Sequence, residues 1–216
     1  EMLEGRKAQF IDELMKQDST KEQAEKEVSL SIERLIYYAG WCDKFQQLYS
    51  TVNPVASSHF NFSAPEPTGV VSIIAPQNNS LIGLVSVIAP IIAGGNTCVV
   101  LASASKPLCA VTFAEVLGTS DVPGGTIRIL TGKPGELLSW FSDHMDVNAI
   151  VFCENDKEAI LKIQQKATLN LKRVLLWNNY NWLLETAQNP YLINDAQEIK
   201  TTWHPIENIG GAKAGY

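Results

Sequence analysis

Several features are missing from this sequence, and each absence narrows what the chain can be. No apolar run is long enough to cross a bilayer; the stretch at residues 81–92 is too short and reads as a buried helix. Basic clusters are missing as well, since 17 Lys and Arg stand against 23 Asp and Glu for a net charge of −6. An acidic chain without a basic patch repels phosphate backbones and anionic headgroups, so no nucleic acid and no membrane is expected as a partner. No cysteine or histidine pair has the close spacing of metal ligands: Cys42, Cys98, Cys109 and Cys153 are far apart in apolar settings, and His59, His144 and His204 are scattered. Buried free thiols, no metal and a cytoplasmic location are therefore expected. No signal-peptide pattern opens the chain. It begins at Glu1 inside a helical pattern, so a piece of a longer protein is expected. Internal repeats and low-complexity tracts are also missing.

What is present is a globular composition. The 216 residues are 45% hydrophobic and 19% charged, enough for one domain with a well-developed core. Residues 1–17 favour helix, and Asp18-Ser19-Thr20 breaks it. Ser19 or Thr20 can cap the next helix, with Glu22 or Gln23 closing a capping box. From Val28 the apolar positions Ile32, Leu35, Ile36, Ala39, Cys42, Phe45, Leu48 and Tyr49 recur in steps of three and four. That spacing predicts one long amphipathic helix, its charged side being a solvated face. Around Asn53-Pro54, short β-type segments at residues 49–52 and 60–62 predict a projecting hairpin.

An α/β alternation follows. Strands are predicted at residues 70–75, 98–102, 126–130, 149–153 and 173–177, with helices at 80–92, 107–117, 136–141 and 156–168. Strands and helices at this spacing imply a mostly parallel sheet with helices on both faces. After Trp177 the regularity fades, and Asn189-Pro190 is a break. Residues 197–203 alternate in polarity and read as an edge or pairing strand, and 210–216 as a disordered end.

The pieces ERLIYYAGWCDK, EPTGVVSIIAP, AGGNTCVVL, VPGGTIRILTG and NLKRV stand in that order between Glu33 and Val174. Together they resemble the aldehyde dehydrogenase superfamily. The resemblance implies an α/β fold: a three-layer, Rossmann-like, mostly parallel sheet with N-terminal helices and a small β oligomerisation element of hairpin plus C-terminal strand. On that basis residues 1–47 are helices packing on the core and 48–65 the hairpin. Residues 66–178 form the core, 179–196 a connector, and 197–216 the pairing strand and tail.

The family's chemical motifs are altered. The turn after the first core strand usually reads Pro-Trp-Asn-Phe-Pro, its Asn helping to hold an oxyanion. Here it is Pro76-Gln77-Asn78-Asn79-Ser80, so Asn78 is a relic of that Asn, with helix capping by Ser80 or Asn78 itself the favoured role. The family's Lys-Pro-Ser-Glu ribose clamp is replaced at Leu101 and Ala104. Its Phe-Thr-Gly-Ser at the pyrophosphate is Phe152-Cys153-Glu154-Asn155, which puts a negative side chain where phosphates would lie. The general-base Glu is matched by Trp177, and no Gly-Gln-x-Cys nucleophile motif occurs.

The resemblance thus implies a degenerate C-terminal unit of the aldehyde dehydrogenase sixteen type. It would be a non-catalytic structural or oligomerisation module of a longer NAD(P)-dependent enzyme, holding no cofactor itself. Its expected partners are a second copy or the catalytic unit of the parent chain, met through Tyr49, Val52, Phe60, Phe62, Ile199, Thr201 and Trp203. The alternative is a segment of an active aldehyde dehydrogenase whose catalytic Cys lies elsewhere in the parent chain. Trp177, Trp182 and Trp203 are expected to fill core in preference to forming a binding platform.

Overall fold

In the computed structural model, which describes residues 1–206, the N-terminal stretch forms α1 (Met2–Gly5) and α2 (Lys7–Lys16). Asp18 ends this run in the left-handed region, φ 68°, which Asp tolerates better than most side chains. Thr20 then starts α3 (Lys21–Ala39) with a complete capping box: its hydroxyl accepts from Gln23 N, and the Gln23 side chain accepts from Thr20 N.

The single long helix predicted through Tyr49 does not form. α3 stops at Gly40, and a turn leads to a separate α4 (Phe45–Tyr49). Glycine is a poor helix former. The Lys44 ammonium takes the Gly40 carbonyl in place of a backbone N–H, while Lys44 N turns to Trp41 O. Cys42 lies in this turn and is exposed, against the expectation of a buried thiol; Cys98, Cys109 and Cys153 are buried.

β1 (Thr51–Asn53) and β2 (His59–Pro67) form the hairpin, antiparallel, with Val52 opposite Phe62. Then β3 (Val70–Ile74), α5 (Leu81–Ala93), β4 (Thr97–Leu101), α6 (Leu108–Gly118), β5 (Ile127–Leu130), α7 (Pro134–Asp143), β6 (Ala149–Phe152), α8 (Lys157–Ala167) and β7 (Arg173–Leu176) alternate. Their sheet has the order β5-β4-β3-β6-β7, every pair parallel. Side chains of a strand alternate between faces, so Val71, Ile73, Val100 and Val151 join α3, α5 and α6 in the larger core. Ile74, Leu101, Ile150 and Phe152 join α7 and α8 in the smaller one. α5 packs on α3 as well as on the sheet, which is why its residues are apolar nearly all round.

Past β7, Trp177 and Trp182 fill the larger core, as expected of them, whereas Trp203 is 57% exposed. The Asn189-Pro190 break is the start of a further short helix, α9 (Tyr191–Asp195), with the Asn189 side chain accepting from Leu192 N. β8 (Gln197–Pro205) then pairs antiparallel with β2 over its whole length, from Gln197 opposite Pro67 to Pro205 opposite His59. The predicted disordered end at 210–216 lies outside the described residues.

Among the described residues the most deeply buried charged side chain is Arg34. Arg34 is 1% exposed. It donates through Nη1 to Ser86 Oγ at 2.6 Å and through Nη2 to the carbonyls of Leu184 at 3.1 Å and Trp182 at 3.3 Å. It thereby ties α3 and α5 to the chain beyond β7, and burial pulls its pKa down. Charged hydrogen bonds contribute about 1.5–3 kcal/mol each, and their loss strands buried carbonyls. Arg34→Met is expected to lower unfolding stability by about 3 kcal/mol in urea titration. Lys21→Ala on the exposed face should stay within about 0.5 kcal/mol of the parent.

Candidate functional site

Strand order reverses at β3: the chain first moves out through β4 to β5, then returns to the other side of β3 with β6. Open α/β sheets bind ligands at such a switch point, outside the C-terminal ends of the strands. The turns after β3, β4, β6 and β7 meet there.

Hydrogen bonds lace these turns together. Gln77 N, after β3, donates to Glu154 Oε1, after β6, at 2.7 Å. The Gln77 side chain accepts from Ala104 N at 2.8 Å and donates to Ala75 O at 2.8 Å. The Gln77 backbone carbonyl accepts from the hydroxyls of Ser103 at 2.7 Å and Ser105 at 2.9 Å, after β4. On the other side Asn155 donates through Nδ2 to Asn178 O, after β7, at 2.9 Å. Cavities of about 260–560 Å³ among the described residues open elsewhere on the surface, away from these turns.

The helix starts at this edge are supplied with carboxylates by the chain itself. Asp156 accepts from Glu158 N at 3.0 Å and Ala159 N at 3.1 Å, so two of the first three amides of α8 are taken. At α5 the expected cap is absent. Ser80 makes no side-chain cap bond, and its backbone, φ −94° and ψ −96°, is not the extended form that a capping residue adopts. Its hydroxyl instead donates to Lys106 O at 2.9 Å and accepts from Gln17 Nε2 at 3.2 Å. Glu27 of α3 reaches over and accepts from Ile82 N at 3.1 Å. Asn78 is exposed in the turn and makes no side-chain hydrogen bond among the described residues, so it does not cap α5 either.

Of the other residues singled out in the sequence, Leu101 is fully buried in the smaller core, and Ala104 is exposed with its N–H held by Gln77. Glu154 is half-buried at the switch point, and Asn155 is exposed beside it. Trp177 is 3% exposed and donates through Nε1 to Asp195 Oδ2 at 3.1 Å. Burial pushes the Cys98 and Cys109 thiols up to about 12 and Cys153 well above its ordinary value, so none is a poised nucleophile.

The seven proposed interface residues are split by the structure. Val52, Phe60 and Phe62 share one face of the β1-β2-β8 sheet, where the two Phe rings lie 5.6 Å apart. Ile199, Thr201 and Trp203 stand opposite Pro65, Ser63 and Asn61, on the other face. Tyr49 is in neither set: it ends α4, with its ring 6.5 Å from that of Tyr191. Sequence reading did not assign the hydrogen-bonding roles of Gln77, Asp156 and Arg173. Asp156 two residues before Glu158 is a helix-start signal, but Gln77 had no local one. Arg173 donates through Nη1 to Asp195 O at 3.0 Å and Gln197 O at 2.5 Å, and through Nη2 to Glu198 Oε1 at 2.8 Å. It anchors the start of β8 to the body.

The model of the Aldehyde dehydrogenase family matches residues 1–179. The chain belongs to the aldehyde dehydrogenase family. It is 35% identical over 150 residues to the cytosolic 10-formyltetrahydrofolate dehydrogenase of Xenopus tropicalis, covering 69% of this chain and 17% of that protein. It is 33% identical over 150 residues to the putative aldehyde dehydrogenase DhaS of Bacillus subtilis (strain 168), covering 69% of this chain and 30% of that one. PnpE from Pseudomonas sp. WBC-3 shares the fold with a TM-score of 0.72 at 25% identity, covering 81% of this chain and 36% of its own. PnpE has also been solved in complex with nicotinamide adenine dinucleotide. This family member thus spans between about a sixth and a third of the length of these relatives.

The Glu27 cap generates a pH prediction. Burial raises the Glu27 carboxyl above its ordinary 4.5, against the α5 amides and Lys106, which lower it. The folded chain then takes up this proton at a higher pH than the unfolded chain, so this group adds stability as pH falls towards 4.5. Urea unfolding of the parent and of Glu27→Gln between pH 7 and pH 4.5 should show the difference moving in the parent's favour on acidification. A difference independent of pH would contradict the raised value.

Proposed function

We propose that this chain is a non-catalytic aldehyde-dehydrogenase-like domain that serves as a structural and oligomerisation module of a longer NAD(P)-dependent aldehyde dehydrogenase. The observation that carries the reading is the edge of the sheet closed by Gln77 and Glu154 at the switch point. A dinucleotide would have to bring its pyrophosphate against Glu154 and the Asp156 carboxylate, with the Glu158 and Ala159 amides already bonded. Like charges in a partly buried site repel, and two of the three first-turn amides of α8, Glu158 N and Ala159 N, are already held by Asp156. At the ribose positions, Leu101 lies in the core and Ala104 has no polar side chain. These residues do not fit the cofactor, so no step of aldehyde oxidation is assigned to them. Trp177, at the general-base position of the resemblance, can neither take a proton from water nor reach one.

The assembly elements, by contrast, are built. Hairpin and tail form a three-stranded sheet that carries exposed apolar side chains on both faces. Such surface is a liability unless a partner covers it. The partner on this reading is a second copy or the catalytic unit of the parent chain, in the cytoplasm.

A second reading, a segment of an active aldehyde dehydrogenase with its catalytic Cys elsewhere in the parent, is favoured by one observation. The relatives are three to six times longer than the matched stretch, which leaves room for a catalytic unit. Calorimetric titration of the chain with NAD separates the two. No heat of binding up to millimolar NAD is expected; a micromolar dissociation constant would overturn the first reading in favour of the second.

A further inference from the structure

We propose that the outer edge of β5 takes the C-terminal end of an extended peptide from a partner protein. The peptide lies antiparallel to β5, with its terminal carboxylate at Gly125 and Arg128. The site is separate from the switch point and from the three-stranded sheet, and it does not depend on the oligomerisation reading.

The hydrogen-bond parity of β5 determines which groups are on offer. Cys98 N donates to Thr126 O and Ala102 N to Leu130 O, both at 2.9 Å. Even-numbered residues of β5 therefore bond to β4. Bonding direction alternates along a strand, so Ile127 and Ile129 turn their N–H and C=O groups to the outer edge. Among the described residues no strand lies beside that edge. Nothing blunts it, since β5 contains no proline, and an unblunted edge is a template for another strand. Beside it runs a cavity of about 360 Å³. Ala114, Leu117 and Gly118 in the C-terminal half of α6 form one wall, and Ile127 and Ile129 the other. The loop at residues 122–125 lies at the end where β5 begins.

The chemistry of the groove selects its occupant. A row of backbone donors and acceptors is met by an extended chain, the mode of β-strand addition. Peptide residues opposite Ile127 and Ile129 exchange both hydrogen bonds with them. Being two apart, they turn their side chains to the same face as those of Ile127 and Ile129, which pack towards the larger core beside α6. The helix wall there is small and apolar, so these two peptide side chains are aliphatic. Arg128 is the one charged residue lining the groove. It is exposed, and it makes no ion pair or hydrogen bond among the described residues. Its Nη2 lies 3.9 Å from where a Cβ on Gly125 would stand, which holds the guanidinium beside the backbone at the start of β5. Neither Gly124 N nor Gly125 N donates to a backbone carbonyl among the described residues. An unpaired cation and unmatched amides at the end of a strand groove call for a terminal carboxylate. An antiparallel peptide whose last residue faces Ile127 delivers it there. A parallel one would bring its ammonium against Arg128. An antiparallel edge strand on an otherwise parallel sheet is a common arrangement.

The probe is a pool of fluorescein-labelled hexapeptides with valine, leucine or isoleucine at the last and third-last positions, random elsewhere, ending in a free carboxylate. Fluorescence polarisation with the whole chain should show saturable binding, and the same pool with an amidated end should bind at least about tenfold more weakly. Arg128→Ala should bring the free-acid pool to the level of the amidated pool and leave the amidated pool unchanged. Gly118→Phe should abolish binding of both. A Cβ on Gly118 meets nothing within 4 Å, so the ring enters the open groove and not the core. Amide hydrogen exchange should slow at Ile127 and Ile129 when the pool is added and stay unchanged at Arg128, whose N–H already faces β4. Equal binding of the two pools, binding indifferent to Gly118→Phe, or no binding overturns the proposal. A concentration-dependent dimer that Gly118→Phe disperses also overturns it, in favour of a second copy on the same edge. None of these outcomes alters the NAD titration, so this proposal and the non-catalytic reading fail separately.

Discussion

The hydrogen bond from Gln77 N–H to the Glu154 carboxylate joins β3 and β6 where the sheet changes direction. In this fold that position is a crevice with backbone amides pointing into it, because diverging connections leave a gap above the strand ends. A gap lined by free amides attracts an anion. Here the anion is supplied by the chain. Once Glu154 holds the Gln77 backbone N–H, the Gln77 side chain is left to bridge to Ala104, and the Gln77 backbone carbonyl to collect the hydroxyls of Ser103 and Ser105. One carboxylate therefore sets the arrangement of three turns.

The same preference for internal partners recurs around the core. Glu27 supplies α5 with the cap that Ser80 does not, and Asp156 does so for α8. Arg34 meets carbonyls and a hydroxyl inside the protein in place of a carboxylate. Each is a polar group whose burial would be costly alone and is offset by fixed hydrogen bonds. The body of the domain is in this sense self-sufficient. The three-stranded sheet is not. Its strands expose Val52, Phe60, Ile199 and Trp203, and at the β8 end it is tied to the body by Arg173, by Gln197 donating to Gly94 O at 2.9 Å and by Asn96 Nδ2 donating to Ala196 O at 2.9 Å. The unmet surface is at the periphery, where a partner can reach it.

Much of the fold was legible in the chain because the signals were local. Continuous apolar runs marked β3 and β6, buried on both faces. The Thr20–Gln23 capping box and the glycine pair after α5 marked helix boundaries. The failures were local rules overridden by partners distant in sequence. Periodicity carried a helix through Gly40, where a Lys44 side chain ended it. Capping preference assigned a role to Ser80 that Glu27, 55 residues away along the bond to Ile82, had taken. Tyr49 was grouped with the hairpin and belongs to α4.

The sequence by itself determined the alternation of strands and helices, the membership of the family, and the identities Gln77, Leu101, Ala104, Glu154 and Trp177 at the altered positions. Local apolar spacing and motif order suffice for those, since each is a property of neighbouring residues. Only the tertiary structure decided that Glu154 and Gln77 meet, that Leu101 turns into the core, and that Ile199, Thr201 and Trp203 share a face and an open edge. These facts depend on which strands become neighbours and in what register. A shift of one residue reverses every side chain of a strand, and no local signal carries that information.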